Sequence, residues 1–83
     1  MVMERIGIYI EQEEYEAFRK LAPDDSEFAR SYAEWIERHA KGDIVVTVGP
    51  EEFADYCEQI GRSPGFHALT LCAAKKANDT TKL

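Results

Sequence analysis

Along residues 5–10 apolar and polar or small positions alternate. Ile6, Ile8 and Ile10 fall on one face and Arg5, Gly7 and Tyr9 on the other, the period-2 pattern of a half-buried strand. From Glu11 to Ala22 the spacing becomes helical, with Tyr15, Phe18, Leu21 and Ala22 on one stripe and Glu11, Glu13 and Glu14 in the first turn, where the helix dipole favours acids. Pro23 ends that helix. Asp24, Asp25 and Ser26 then offer an N-cap, and the stripe Phe28, Tyr32, Trp35, Ile36, His39 predicts a second, longer helix stopped by Gly42. Residues 43–48 repeat the strand pattern, with Ile44, Val46 and Val48 inward and Asp43, Val45 and Thr47 outward. Gly49-Pro50-Glu51-Glu52 is a helix start, followed by the stripe Phe53, Tyr56, Cys57, Ile60 and the terminator Gly61. Ser63 can cap, and Pro64 can open, a fourth helix that is apolar on more than one side. Residues 66–72 could also be read as a strand, and the polar residues 79–83 are expected to form a disordered tail.

The two halves match. Residues 6–40 slide onto residues 44–78 without a gap, aligning Ile6 with Ile44, Ile8 with Val46, Ile10 with Val48, Tyr15 with Phe53 and Phe28 with Phe66. Only four positions are identical, where chance gives roughly two, so periodicity carries the repeat more than the letters do. A strand and two short helices cannot bury an apolar face alone, and a second copy supplies the other half of a core. The expected fold is therefore α+β and mostly helical, in the order β-α-α-β-α-α, with two short strands forming a ribbon on four helices. It is one domain over residues 1–78, built from repeats 5–42 and 43–78. The repeat also favours helix over strand for residues 66–72.

Composition narrows the classes. The chain has 83 residues, enough for one small core but not for a deep enclosed active site. Its net charge of −6 is spread over both halves and disfavours non-specific binding to nucleic acid or anionic membrane. No apolar run reaches spanning length, and residues 1–11 lack the apolar core of a signal peptide. Cys57 and Cys72 do not make a disulfide framework; reduced core thiols in a cytoplasmic protein are expected.

Val48-Gly49, then Pro50-Glu51-Glu52-Phe53, and after a short helix Gly61-Arg62-Ser63 opening another, resemble the ribbon-helix-helix family. The resemblance implies antiparallel strand pairing, helices packed beneath, and an exposed ribbon face that reads the DNA major groove; two copies in one chain would form a tandem pseudo-dimer. It also implies a phosphate contact at the start of the fourth helix, carried here by Ser63 with Arg62. Of the outward strand positions Gly7, Tyr9, Val45 and Thr47, only Thr47, together with Arg5 at the start of the first strand, is a conventional base reader. The link at residues 41–43 is short for antiparallel pairing within one chain, which points to pairing between chains.

Two main functional expectations follow. The first is a non-enzymatic regulatory or adaptor protein acting through protein contacts, self-associating as a homodimer, with Tyr32, Trp35, Leu69 and Leu71 as candidate partner contacts. The second is a DNA-binding repressor or antitoxin-like protein using Arg5, Tyr9, Thr47, Arg62, Ser63, Lys75 and Lys76. An acidic inhibitor that fills a partner's nucleic-acid groove is a third. No catalytic, metal or cofactor motif is present, and His39 and His67 are expected to be structural.

Overall fold

A computed structural model describes residues 5–81 and shows a small α+β fold. The elements run β1 (Ile6–Tyr9), α1 (Gln12–Leu21), α2 (Tyr32–His39), β2 (Ile44–Thr47), α3 (Pro50–Ile60) and α4 (Phe66–Thr81). The two strands form a two-stranded sheet, and they pair parallel. This corrects the antiparallel pairing that the ribbon-helix-helix resemblance implied. The register joins Ile6 to Ile44, Gly7 to Val45, Ile8 to Val46 and Tyr9 to Thr47. Each partner is thus the residue's own counterpart in the repeat.

Two glycines explain how so short a link makes a parallel crossover. A Cβ at Gly7 would lie 2.8 Å from the Lys41 backbone, and one at Gly42 would lie 2.5 Å from the Arg5 carbonyl oxygen. The chain leaving α2 therefore crosses directly over β1, backbone on backbone, and enters β2 beside it. Asp43 N and Ile44 N both donate to Arg5 O, at 2.8 and 3.1 Å, which locks the crossing in place.

The second helix begins later than the stripe predicts. Residues 23–31 form turns, and Ser31, not Asp24 to Ser26, is the N-cap of α2, its hydroxyl accepting from Glu34 N at 3.3 Å. Asp25 is committed elsewhere: one carboxylate oxygen accepts from Glu27 N at 2.9 Å and the other from Phe66 N, the first residue of α4, at 2.8 Å. A carboxylate spent on a turn and on a distant helix cannot also start its own. Tyr15 fastens this segment, its hydroxyl donating to Arg30 O at 2.8 Å.

The inward strand residues Ile8, Ile10, Val46 and Val48 meet Tyr15 and Phe18 of α1, Trp35 of α2 and Phe53 and Cys57 of α3 in one core. Aromatic rings run through it from Phe53 to Phe18 (5.4 Å), Phe28 (6.0 Å) and Trp35 (5.1 Å). Such pairs contribute about 0.5–1.5 kcal/mol each beyond the area they bury. Residues 66–72 are helical, and α4 packs on both strands, burying Leu69 together with Ala68, Cys72, Ala73 and Ala77, whose small side chains allow close approach. It extends to Thr81, through positions 79–81 of the expected disordered tail; residues 82–83 lie outside the described residues.

Candidate interaction surface

The outward strip of the sheet is not the open face that alternation predicts. Gly7 is buried beneath the Lys41 backbone and Tyr9 is half-buried, which leaves Arg5, Val45 and Thr47 exposed. Val45 is 49% exposed and Ile6, at the sheet's end, 38%. Arg5 N donates to the Asp43 carboxylate at 3.0 Å, so the first basic candidate adjoins an acid.

The other basic candidates sit on different elements. Lys76, on α4, donates to Glu52 Oε1 at 2.7 Å and to the Thr47 carbonyl oxygen. Glu52 also accepts from Gly49 N at 2.8 Å, capping α3; although burial opposes it, the bonds from Lys76 and Gly49 hold its carboxyl below the ordinary carboxylate range. The Lys75 ammonium lies 5.7 Å from the Tyr56 ring centre. Arg62 and Ser63 are exposed beyond the far end of α3, a helix about 16 Å long. Thr47 and Lys76 therefore come together, while Arg62 and Ser63 stand apart from them.

Both phosphate-type positions are filled by the chain's own carboxylates. At the start of α4, Asp25 accepts the Phe66 N–H, and a cleft of about 400 Å³ lined by Pro23, Asp24, Asp25, Ser63 and Pro64 adjoins it. The carboxyl-terminal ends of parallel strands, next to helix N-termini, are the usual anion-binding place in α/β folds. Here α3 opens with Glu51 and Glu52, α1 carries Glu13 and Glu14 in its first turn, and Glu14 Oε2 lies 3.9 Å from where a Gly49 Cβ would stand. Carboxylates at these helix starts repel an incoming anion.

The partner contacts expected from the sequence divide by burial. Trp35 and Leu69 are fully buried, so neither is available to a partner of the folded chain; the reason is that α2 and α4 turn those positions into the shared core. Tyr32 is half-buried and its hydroxyl donates to Ile10 O at 2.7 Å, with burial first and then Tyr9 pushing its pKa up to about 12. Leu71 is half-buried on α4. An open groove of about 310 Å³ between α3 and α4 is lined by acids and bases together, including Asp55, Lys75 and Asp79, over Tyr56 and Cys72.

One charged cluster escaped the sequence reading. Glu27 Oε2 lies 2.7 Å from His39 Nε2, 3.3 Å from Arg30 Nε and 3.7 Å from Arg38 Nε, and the His39 ring lies 4.5 Å from those of Trp35 and Phe66. The hydrogen bond with His39, followed by the two arginines, holds the Glu27 carboxyl below its ordinary range despite some desolvation. Nothing local marks Glu27 as a partner of a residue twelve positions on. Cys57 and Cys72 are buried and reduced, and burial raises both thiol pKa values. His67 is exposed. Among the described residues no cluster of three or more metal-type side chains occurs, and no helix is long and apolar enough to cross a membrane.

Compared with known proteins, the chain matches no family, no curated protein and no solved structure.

Proposed function

We propose that this protein is a non-enzymatic regulatory or adaptor module that acts through protein contacts in the cytoplasm. It presents its contacts on a duplicated β-α-α frame. The observation that carries the reading is the Asp25 carboxylate on the Phe66 N–H. The helix start that would hold a DNA phosphate already holds an internal anion, and displacing it would forfeit a charge-assisted hydrogen bond and set phosphate against carboxylate. The acidic balance of −6 and the neutralisation of Lys76 by Glu52 act in the same direction. The thiols, buried and with raised pKa values, are poor nucleophiles.

The test is titration of duplex DNA, of mixed sequence and of the chain's own upstream region, over a salt series. Binding no tighter than the non-specific micromolar range is expected. Sub-micromolar affinity with a steep salt slope, abolished by Arg62→Glu, would establish the DNA-binding reading instead.

A further inference from the structure

We infer that the open edge of β2 is a self-pairing surface, on which a second copy of this chain adds its own β2 antiparallel, with Val45 on the two-fold axis. The inference deepens the protein-contact reading above and rests on it.

Ile44 N donates to Arg5 O and Val48 N donates to Tyr9 O, so the even-numbered residues of β2 face β1. By strand alternation the N–H and C=O of Val45 and Thr47 face the other way. The Thr47 carbonyl confirms that direction, because it accepts from Lys76 of α4. The Val45 N–H and C=O and the Thr47 N–H have no hydrogen-bond partner among the described residues. The outer edge of β1 is different: α2 packs beside it and Tyr32 donates to Ile10 O. With one edge covered and one open, a β2-to-β1 addition that would grow a filament is blocked, and a closed two-fold pair through β2 remains.

The choice of register follows from which groups are still available. Placing Val45 opposite the partner's Val45 lets the two residues exchange both N–H···O=C bonds and leaves the Thr47 carbonyl with Lys76. The same register sets Thr47, with the Lys76 ammonium held on its carbonyl, opposite the partner's Asp43, an exposed acid whose Oδ2 accepts from its own Arg5 N, twice by symmetry. It also joins the Val45 side chain, 49% exposed, to its own copy on the outer face. The product is a four-stranded sheet in the order β1-β2-β2-β1.

Sedimentation equilibrium over a wide concentration series, with cysteine cross-linking, tests this. The mass is expected to double as concentration rises. Val45→Lys, which places two ammonium groups on the axis, should weaken the dimer at least about tenfold. Val45→Cys should cross-link readily under mild oxidation, since hydrogen-bonded partners lie about 5.5 Å apart at Cα, inside the disulfide range. Thr47→Cys should not, because the two copies of residue 47 would be about 13 Å apart along the strands. The native thiols are buried and do not compete. A chain that stays monomeric at every concentration, a dimer indifferent to Val45→Lys, or Thr47→Cys cross-linking as fast as Val45→Cys would each overturn the inference. Tight DNA binding, in contrast, would overturn the adaptor reading and leave the dimer measurement standing, so the two failures are separable.

Discussion

The crossing of the α2–β2 connection over β1 is the feature most open to a decisive experiment, through alanine at Gly42. An added Cβ there would sit 2.5 Å from Arg5 O and 2.8 Å from Gly7 N, both backbone atoms in a paired strand. Relief requires the connection to lift by about 1 Å, which stretches the Asp43 and Ile44 hydrogen bonds to Arg5 O out of range. Two backbone bonds at about 1 kcal/mol each, with overpacking of about 1–3 kcal/mol, give a loss of about 3–5 kcal/mol. A chain of this length has roughly 4–12 kcal/mol in total, and Tm should fall by roughly 15–30 °C. Gly7→Ala meets the Lys41 backbone at 2.8 Å and should cost about 2 kcal/mol. Gly61→Ala is the internal control. It has open space around it but a φ of 67°, so only left-handed strain of about 1 kcal/mol is expected. Urea unfolding followed by the fluorescence of Trp35, the only tryptophan, reads all three. If Gly42→Ala and Gly7→Ala unfold within about 0.5 kcal/mol of the parent while Gly61→Ala shows its penalty, the chain does not cross there. The parallel pairing would lose its physical basis.

Three further outcomes are expected. Asp25→Ala should cost about 1–2 kcal/mol and reduce helicity by circular dichroism, because α4 loses its cap, whereas Asp25→Asn, which keeps an acceptor, should cost less. Glu27 has a folded pKa below its ordinary 4.5, so its contribution is complete above that value and is lost as pH falls through the lower folded value. The Tm gap between the parent and Glu27→Gln should therefore be constant near neutral pH and close in acid; a gap that widens in acid would refute the assignment. Cys57 and Cys72 should react with a thiol reagent only at the rate of opening, and fast labelling of the native chain would contradict their burial.

Some of this architecture was legible in the residues. The stripe Phe53, Cys57 and the acids after Pro50 place α3 on the right residues, and Gly61 closes it in the left-handed conformation that glycine adopts freely. The second helix was less legible, since Asp24 to Ser26 look like a cap by local rules, and only the packing of α4 against the turn draws Asp25 away. The candidate contacts were least legible. Trp35 and Leu69 carry the chemistry of a binding anchor, but amphipathic spacing does not say whether a stripe faces a partner or the other half of the same chain.

Local pattern alone settles which side of the elements is apolar and where α1 and α3 begin: Ile8 and Val46 inward, acids at the starts of α1 and α3, and one pattern used twice. Those properties are local, because a strand or helix period depends on neighbours a few positions away. The direction of strand pairing, the covering of Gly7, the gift of the Asp25 carboxylate to α4 and the open edge of β2 were decided only in the tertiary structure. Each depends on where α2 delivers the chain relative to β1. That is a long-range packing outcome, set by two glycines thin enough to let one backbone cross another.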